Sequence, residues 1–383
     1  MVAVLAHLGE WSGAPAAAVR FACLLEETQE FRVVMIVPSE GEAARRARDA
    51  GLDVLVVCQP EVGLSSGSRL IRLCRKVSGT LRLARVLRRE RAEVAWIHGM
   101  VNLWLGCAAW LAGCRILWHG HELFPPGGAR AVAIRRWVVG RLARVVVYAG
   151  ESARRQWLRS ITCQRARDAG VLPNPLASKL WSRLARHDPQ RPAAPRAGKP
   201  VVVLASGLYI RKAPDRLLRA VAAWGRPARV ILIGEAREGP EEQAFLQELE
   251  VQIEVLPPGV TVERPGPVAD VVPLLDQAHL FVSLSRSEVA PLLLVEAMAC
   301  GVPVVVSDTG EQAAMVGYGN HGWVVHDPGD PPGVAAVLQE VMDDPLGETA
   351  LKCQRARAWA LGIHDPQGVR DQAARLIRDV LKG

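Results

Sequence analysis

Short runs of β-branched and aliphatic residues without polar alternation recur along this chain, nearly all separated by stretches with helical spacing. Val2–Leu8, Arg32–Val37, Val54–Val57, Val94–Ile97, Arg115–Trp118 and Val145–Tyr148 form a first series. Val201–Ala205, Val230–Ile233, His279–Leu284, Val302–Ser307 and Trp323–Val325 form a second. A strand that is apolar on both faces has to be covered on both, and helical crossovers do this for a parallel sheet. The pattern therefore predicts a doubly wound α/β arrangement, built twice. Asn174, Pro175, Pro189, Pro192, Pro195, Gly198 and Pro200 interrupt it between the series. We expect one domain over 1–174, a linker over 175–199, a second domain over 200–364 and a terminal helix over 365–383. In that last segment Val369, Ala373, Leu376, Ile377 and Val380 fall on one helical face.

Ligands of open parallel sheets bind beyond the carboxyl ends of the strands. Gly9–Pro15, His98–Gly99 and His119–Glu122 are accordingly expected at one crevice. The 383 residues suit two domains, and a chain that is 50% apolar and 22% charged is neither disordered nor fibrous. The longest apolar stretch, Met100–Cys114, is shorter than the ~20 residues of a membrane span and reads as a buried helix. Met1–Trp11 lacks a basic leader and reads as a first strand. The eight cysteines show no C-x-x-C spacing, so a reducing cytoplasm is expected. The net charge of +8 is uneven, with 25 Lys/Arg against 14 Asp/Glu in residues 1–175. Such a half can meet anionic lipid or a phosphorylated acceptor. Nucleic acid is not expected, because no recognition motif accompanies the charge.

The most informative stretch is Leu284-Ser-Arg-Ser-Glu288-Val-Ala-Pro-Leu-Leu-Leu-Val-Glu296-Ala-Met-Ala-Cys-Gly-Val-Pro-Val-Val-Val-Ser-Asp308. Glu288 falls in a loop leaving a strand, and Glu296 on a helix that Pro291 can start from its first position. A carboxylate can accept hydrogen bonds from two sugar hydroxyls, and free amides at a helix start favour an anion such as diphosphate. Taken alone, two such glutamates are an ordinary loop acid and a solvated helix acid. The Glu-x7-Glu spacing followed by Ala-Met-Ala-x-Gly-x-Pro-Val reverses that weighting, because it resembles the signature of retaining glycosyltransferases of family 4.

That resemblance implies the GT-B fold, two facing Rossmann-like doubly wound parallel-sheet domains with an interdomain cleft. It implies an acceptor domain first, a nucleotide-sugar domain second, and a terminal helix packed back on the first. It also implies sugar transfer from a UDP- or GDP-sugar to an acceptor hydroxyl of a glycan, glycolipid or small-molecule glycoside, a lipid-linked acceptor included, as in polysaccharide biosynthesis. In the family the first glutamate, here Glu288, contacts the transferred sugar, and the second, here Glu296, the ribose. Ala205-Ser-Gly207-Leu-Tyr-Ile-Arg211-Lys212-Ala-Pro-Asp215 is similar to the family's Gly-Arg-Leu-x-x-x-Lys-Gly stretch, so Lys212 is expected on the diphosphate. Gly207 stands where the family has arginine, leaving Arg211 as the second candidate cation. Ile116-Leu-Trp-His119-Gly-His121-Glu-Leu-Phe124 resembles the family's His-Glu-Leu turn, which places His121 near sugar and acceptor, with His119 its rival. Gly13, in Ser12-Gly13-Ala14, matches a glycine-rich approach to the donor, and Ala290 and Leu292 occupy the altered Glu-Gly-Phe-Gly-Leu loop. His121, Glu288 and Lys212 are therefore the expected catalytic group. Glu296, Gly13, Gly207, Arg211, Ala290 and Leu292 are the expected donor contacts. No Asp-x-Asp occurs, and neither metal nor other cofactor is expected.

Two other classes fit the same fold. A nucleotide-sugar epimerase would convert its donor without an acceptor, and a silent subunit would bind donor without turnover. Gly67–Arg91 carries nine basic residues with Leu70, Leu73, Val77, Leu81 and Leu87 at helical spacing. An ordinary solvated basic face over a buried apolar one is the favoured reading. Peripheral contact with anionic membrane, on the inner face of a plasma membrane, is the alternative.

Overall fold

The computed structural model describes residues 1–9, 13–58, 68–123, 129–158, 166–186, 199–343 and 347–382. The chain divides into two compact units, one of Met1–Ala177 with His364–Gly383 and one of Ser178–Ile363. The amino-terminal unit contains β1 (Val2–Ala6), β2 (Val33–Val37), β3 (Asp53–Val56), β4 (Val94–His98), β5 (Arg115–Gly120), β6 (Val145–Tyr148) and β7 (Arg167–Val171). They form one parallel sheet in the order β3-β2-β1-β4-β5-β6-β7. Every residue of β1, β2 and β4 is buried, which is why these strands read as unbroken apolar runs.

The carboxyl-terminal unit contains β8 (Val201–Ala205), β9 (Arg229–Ile233), β10 (Thr261–Gly266), β11 (Leu280–Ser283), β12 (Val304–Ser307) and β13 (Trp323–Val325). Their order is β10-β9-β8-β11-β12-β13, again parallel throughout. Both sheets are therefore doubly wound α/β.

β7 and β10 escaped the sequence reading, and both are edge strands. An edge strand needs little apolar coverage, so Arg167-Asp-Ala-Gly-Val171 and Thr261-Val-Glu-Arg-Pro-Gly266 lack the continuous run. Pro265 falls where the β9–β10 register shifts, a place where a missing amide does not break the ladder. A third difference falls in the stretch read as linker, where Ser178–Arg186 is a helix of the second unit. Leu184 is its buried residue, Trp181 Nε1 donates to the Leu361 carbonyl at 2.9 Å, and Arg183 grips Asp270 through two bonds of 2.7 and 2.8 Å. Residues 187–198, the rest of that stretch, lie outside the described residues.

The chain returns to the first unit with helix Pro366–Lys382, whose Val369, Ala373, Leu376, Ile377 and Val380 join the core around Phe21, Leu25 and Trp96. Arg167 to Asp379 and Arg378 to Glu30, both 2.9 Å, flank that packing. Met100–Cys114 contains helix Leu103–Ala112, with Leu105, Ala108 and Ala109 buried. Among the described residues no helix is long and apolar enough to cross a membrane.

The basic segment is helix Arg69–Arg89, and its packing differs from the favoured reading. Leu87, Leu83 and Ala84 are buried, but Leu70 is 70% exposed, and Ile71, Leu73, Val77 and Leu81 are exposed as well. The reason is length. At 1.5 Å per residue this 21-residue helix runs about 31 Å, and the adjoining helix Leu103–Ala112, of 10 residues, covers about half of it.

Candidate functional site

In the carboxyl-terminal sheet β8 lies between β9 and β11, so the winding reverses between β8 and β11. The loops after these two parallel strands leave the same edge and diverge, which opens a crevice there. The β8 loop carries Gly207, Tyr209, Arg211 and Lys212 before helix Pro214–Trp224, and the β11 loop carries Glu288 before helix Leu292–Ala299. Arg286 N donates to Arg211 O at 2.8 Å, and the Arg286 guanidinium clasps Asp215 at 3.0 and 2.8 Å, so the two loops are tied together. Beneath them Ser283 Oγ donates to Gln312 Oε1 (2.5 Å), Gln312 Nε2 to Ser307 Oγ (3.0 Å) and Ser307 Oγ to Ser285 O (2.9 Å). This buried chain of hydrogen bonds fixes the stem of the Glu288 loop.

Gly207 has φ +91°, and a Cβ there would meet Tyr209 Cε1 at 2.6 Å and Glu235 O at 3.2 Å. An arginine in that backbone would be strained and would force Tyr209 to shift, so this left-handed turn favours the glycine over a cation. Arg211 lies 5.6 Å from the Tyr209 ring, donates to Ser287 O (3.0 Å) and Tyr209 OH (3.2 Å), and stands 3.6 Å from Glu288 Oε1. Lys212 Nζ is paired directly with Glu288 Oε2. Glu288 is only 8% exposed. Burial pushes its carboxyl up, yet the charges of Lys212 and then Arg211 outweigh that cost and hold it below its ordinary value. Arg211, Lys212 and Glu288 are thus one charged assembly drawn from two loops, with Lys212 and Glu288 76 residues apart, while Gly207 lies beside Tyr209.

Helix Leu292–Ala299 begins one residue later than expected. Pro291 is its extended cap (φ −69°, ψ 110°) instead of its first helical residue. The Pro291 carbonyl accepts from Leu294 N (3.1 Å) and Val295 N (3.3 Å), which leaves the amides of Leu292 and Leu293 without intrahelical partners and able to meet an anion. Ala290 and Leu292 are half-buried at this turn, and Glu296, 4% exposed, lies within the helix.

The amino-terminal sheet reverses its winding between β1 and β4. His7 follows β1, His98 ends β4, and His119 and His121 stand at the end of β5. His98 Nδ1 and His121 Nε2 are 3.0 Å apart, His7 Nδ1 is 3.0 Å from His98 O, and the His119 and His121 ring centroids are 4.1 Å apart. Gly99, at φ +96°, allows this crowding, since a Cβ there would meet both His7 Nδ1 and Glu122 Oε1 at 2.7 Å. Burial keeps His98, His119 and His121 well below the ordinary imidazole range, with their mutual repulsion acting in the same direction. His121 retains partial exposure, whereas His98 and His119 have none. Gly13 is the exposed first residue of helix Gly13–Glu26, while Ser12 and Phe124 lie outside the described residues. The sequence reading passed over His7, whose place directly after β1 was the available signal, and Tyr209.

Family comparison matches residues 11–177 to a family described as Glycosyltransferase Family 4 and residues 187–358 to one described as Glycosyl transferases group 1. D-inositol 3-phosphate glycosyltransferase of Thermobispora bispora is 31% identical over 184 residues, covering 45% of this chain and 42% of that protein. The protein of the same name from Thermobifida fusca is 32% identical over 168 residues, covering 41% and 36%. The chain thus spans less than half the length of these curated relatives. Among solved structures, Anabaena HepE in complex with UDP and glucose has a TM-score of 0.81 at 21% identity, with 98% of this chain and 99% of that one covered. Sucrose-phosphate synthase from Thermosynechococcus elongatus has a TM-score of 0.74 at 17% identity, with 99% and 98% covered. At such identities the likeness is one of fold.

Proposed function

Because the chain belongs to glycosyltransferase family 4 and has the GT-B fold, we propose that it moves a sugar from a UDP- or GDP-sugar to an acceptor hydroxyl with retention of anomeric configuration. The observation that carries this reading is the assembly of Lys212, Arg211 and the buried Glu288 at the β8–β11 switch point. The bond between the anomeric carbon and the diphosphate oxygen breaks, the acceptor oxygen bonds to the same face, and the leaving oxygen takes the acceptor proton. Lys212 and Arg211 stabilise the charge that develops on the diphosphate, aided by the amides of Leu292 and Leu293. Glu288 accepts hydrogen bonds from sugar hydroxyls, Glu296 from the ribose, and His121 bonds a hydroxyl of sugar or acceptor. Two cations supply the charge that a metal would otherwise bring to the diphosphate. The UDP and glucose held by HepE favour a uridine donor, and the names of the curated relatives favour a phosphorylated polyol among the acceptors to test.

The test is a thermal-shift panel of UDP- and GDP-sugars in EDTA, followed by mass spectrometry and anomeric NMR of products. A donor at 100 times its Kd should stabilise by about 2.7 kcal/mol, and the product should keep the donor's anomeric configuration. No shift with any donor and no product would defeat the proposal. Conversion of UDP-N-acetylglucosamine without acceptor would favour the epimerase, and binding without turnover in the presence of extracted acceptors the silent subunit.

A second reading concerns where the acceptor is met, and exposure on the first unit favours it. Leu70, Leu73, Val77 and Leu81 line one side of helix Arg69–Arg89, with Arg75, Arg82, Arg85 and Arg89 exposed around them. Trp110 (61% exposed) on helix Leu103–Ala112 and Trp137 (65%) on helix Ala129–Leu142 belong to the helices packed alongside in turn. Exposed aliphatic and indole groups among arginines suit an anionic bilayer surface, and a lipid-linked acceptor would be reached there.

A further inference from the structure

The histidines at the carboxyl edge of the amino-terminal sheet hold more unsatisfied hydrogen-bonding capacity than a sugar contact by His121 accounts for. β4 and β5 pair His98 directly with His119, and one ring nitrogen from each of His98, His119 and His121 lies within 4.8 Å of the other two. His98 Nε2 is buried without a hydrogen-bond partner among the described residues, and the His119 ring, also fully buried, has at most the Leu172 backbone for one of its two nitrogens. An orphaned buried polar group costs about 1–3 kcal/mol, so more than one on adjoining rings of a single cluster favours a ligand there. Glu122 adds a second observation. Its Oε2 accepts from Met100 N (2.9 Å) and His121 N (3.3 Å), its Oε1 is buried with no partner, and no cation among the described residues pairs with it. Phe21 and Trp96 close one side, with centroids 5.2 and 6.1 Å from His119, so that side offers no solvent to these nitrogens.

We propose that His98, His119 and His121 bind one transition-metal dication of the zinc type, with the Glu122 carboxylate balancing its charge. Zinc takes imidazole nitrogens at about 2.0–2.1 Å, which in a tetrahedral set puts the donor atoms roughly 3.3 Å apart. His98 Nδ1 and His121 Nε2 share a hydrogen bond of 3.0 Å, already close to that spacing; with each ring's proton on its other nitrogen the metal takes the place of that bond, and ring rotation brings in His119. Neutral imidazoles need lose no proton to bind, and the partly exposed His121 is the side of entry. Three nitrogens leave a fourth position open. Mg²⁺ and Ca²⁺ prefer oxygen ligands and are poorly served here. His121 is shared with the proposed hydroxyl contact, which its second ring nitrogen would make, while the readout of this inference is bound metal alone.

The untagged chain, stripped with EDTA and freed of chelator, is titrated with Zn²⁺ against a chromophoric chelator, and in parallel with Co²⁺. One equivalent of bound zinc and the visible absorption of a tetrahedral cobalt site are expected. His98→Gln and His119→Gln should each weaken zinc binding by about 100-fold or more, beyond the loss typical of residues that merely support a ligand. His326→Gln, exposed and in the other unit, should leave it unchanged. Less than one equivalent bound, a cobalt spectrum of six-coordinate type, or affinity unmoved by both cluster variants would overturn the site. The cobalt spectrum of the unsubstituted chain decides the matter even if a variant fails to fold.

Discussion

Deleting the charge of Lys212 probes both the geometry and the chemistry of the second unit. Lys212→Met keeps the apolar stem and removes the ammonium that faces Glu288. Breaking a fully buried ion pair costs about 3–5 kcal/mol, because the remaining charge is left unpaired. Here Arg211 stays 3.6 Å from Glu288, so the carboxylate keeps one partner and the loss should be nearer 2 kcal/mol. In a Glu288→Gln background the ammonium of Lys212 no longer faces its carboxylate, and the same deletion should cost much less. The double-mutant cycle should therefore show a coupling of about 1 kcal/mol or more, read from urea unfolding of the four proteins at pH 7. Because Glu288 titrates below its ordinary 4.5, its stabilising contribution is present above that value and is lost as pH falls through the folded value. The coupling should accordingly shrink in acid. Turnover of Lys212→Met should fall by about 100-fold or more, as for other groups that stabilise developing charge. A coupling near zero would refute the ion-pair geometry, and a tenfold loss of turnover or less would refute the diphosphate role. A large coupling with intact turnover would make the pair purely structural.

Three further outcomes are expected. His364 is buried, with Nδ1 2.6 Å from Asn174 O, and burial lowers its pKa from 6.5 to about 4. The unfolded chain therefore binds the extra proton first, and the first unit should lose up to roughly 3 kcal/mol as pH falls from 6.5 towards 4, at about 1.4 kcal/mol per pH unit. Calorimetry in EDTA on the chain and on His364→Gln would measure this, and identical acid slopes would refute it. Ile377→Ala removes a fully buried side chain of the closing helix and should destabilise the first unit by about 2–5 kcal/mol while sparing the second. Fragments protected from protease on heating would show which unit opens, and equal loss in both would contradict the assignment. Reversing Arg75, Arg82, Arg85 and Arg89 to glutamate should abolish sedimentation with anionic liposomes, since each basic residue near such a surface contributes about 1 kcal/mol. Undiminished sedimentation would rule out this face.

Local pattern alone carried a good deal. β1, β2 and β4 are buried on both faces, so their residues had to be apolar in succession and could be found without any tertiary information. The stripe from Val369 to Val380 marked one face of the closing helix for the same reason, and the Glu-x7-Glu spacing marked the loop and helix that follow β11. What the sequence could not carry is whatever depends on which strands are neighbours. Edge strands β7 and β10 need no double coverage and so leave no apolar run. The pairing of Lys212 with Glu288 exists because β8 and β11 are adjacent, and the meeting of His7, His98, His119 and His121 because β1, β4 and β5 are. The exposure of Leu70, Leu73, Val77 and Leu81 likewise follows from the shortness of the helix beside them. Burial demanded by an element's own faces is written in its residues, whereas partners brought from distant positions are chosen by strand order and by where a neighbouring element ends.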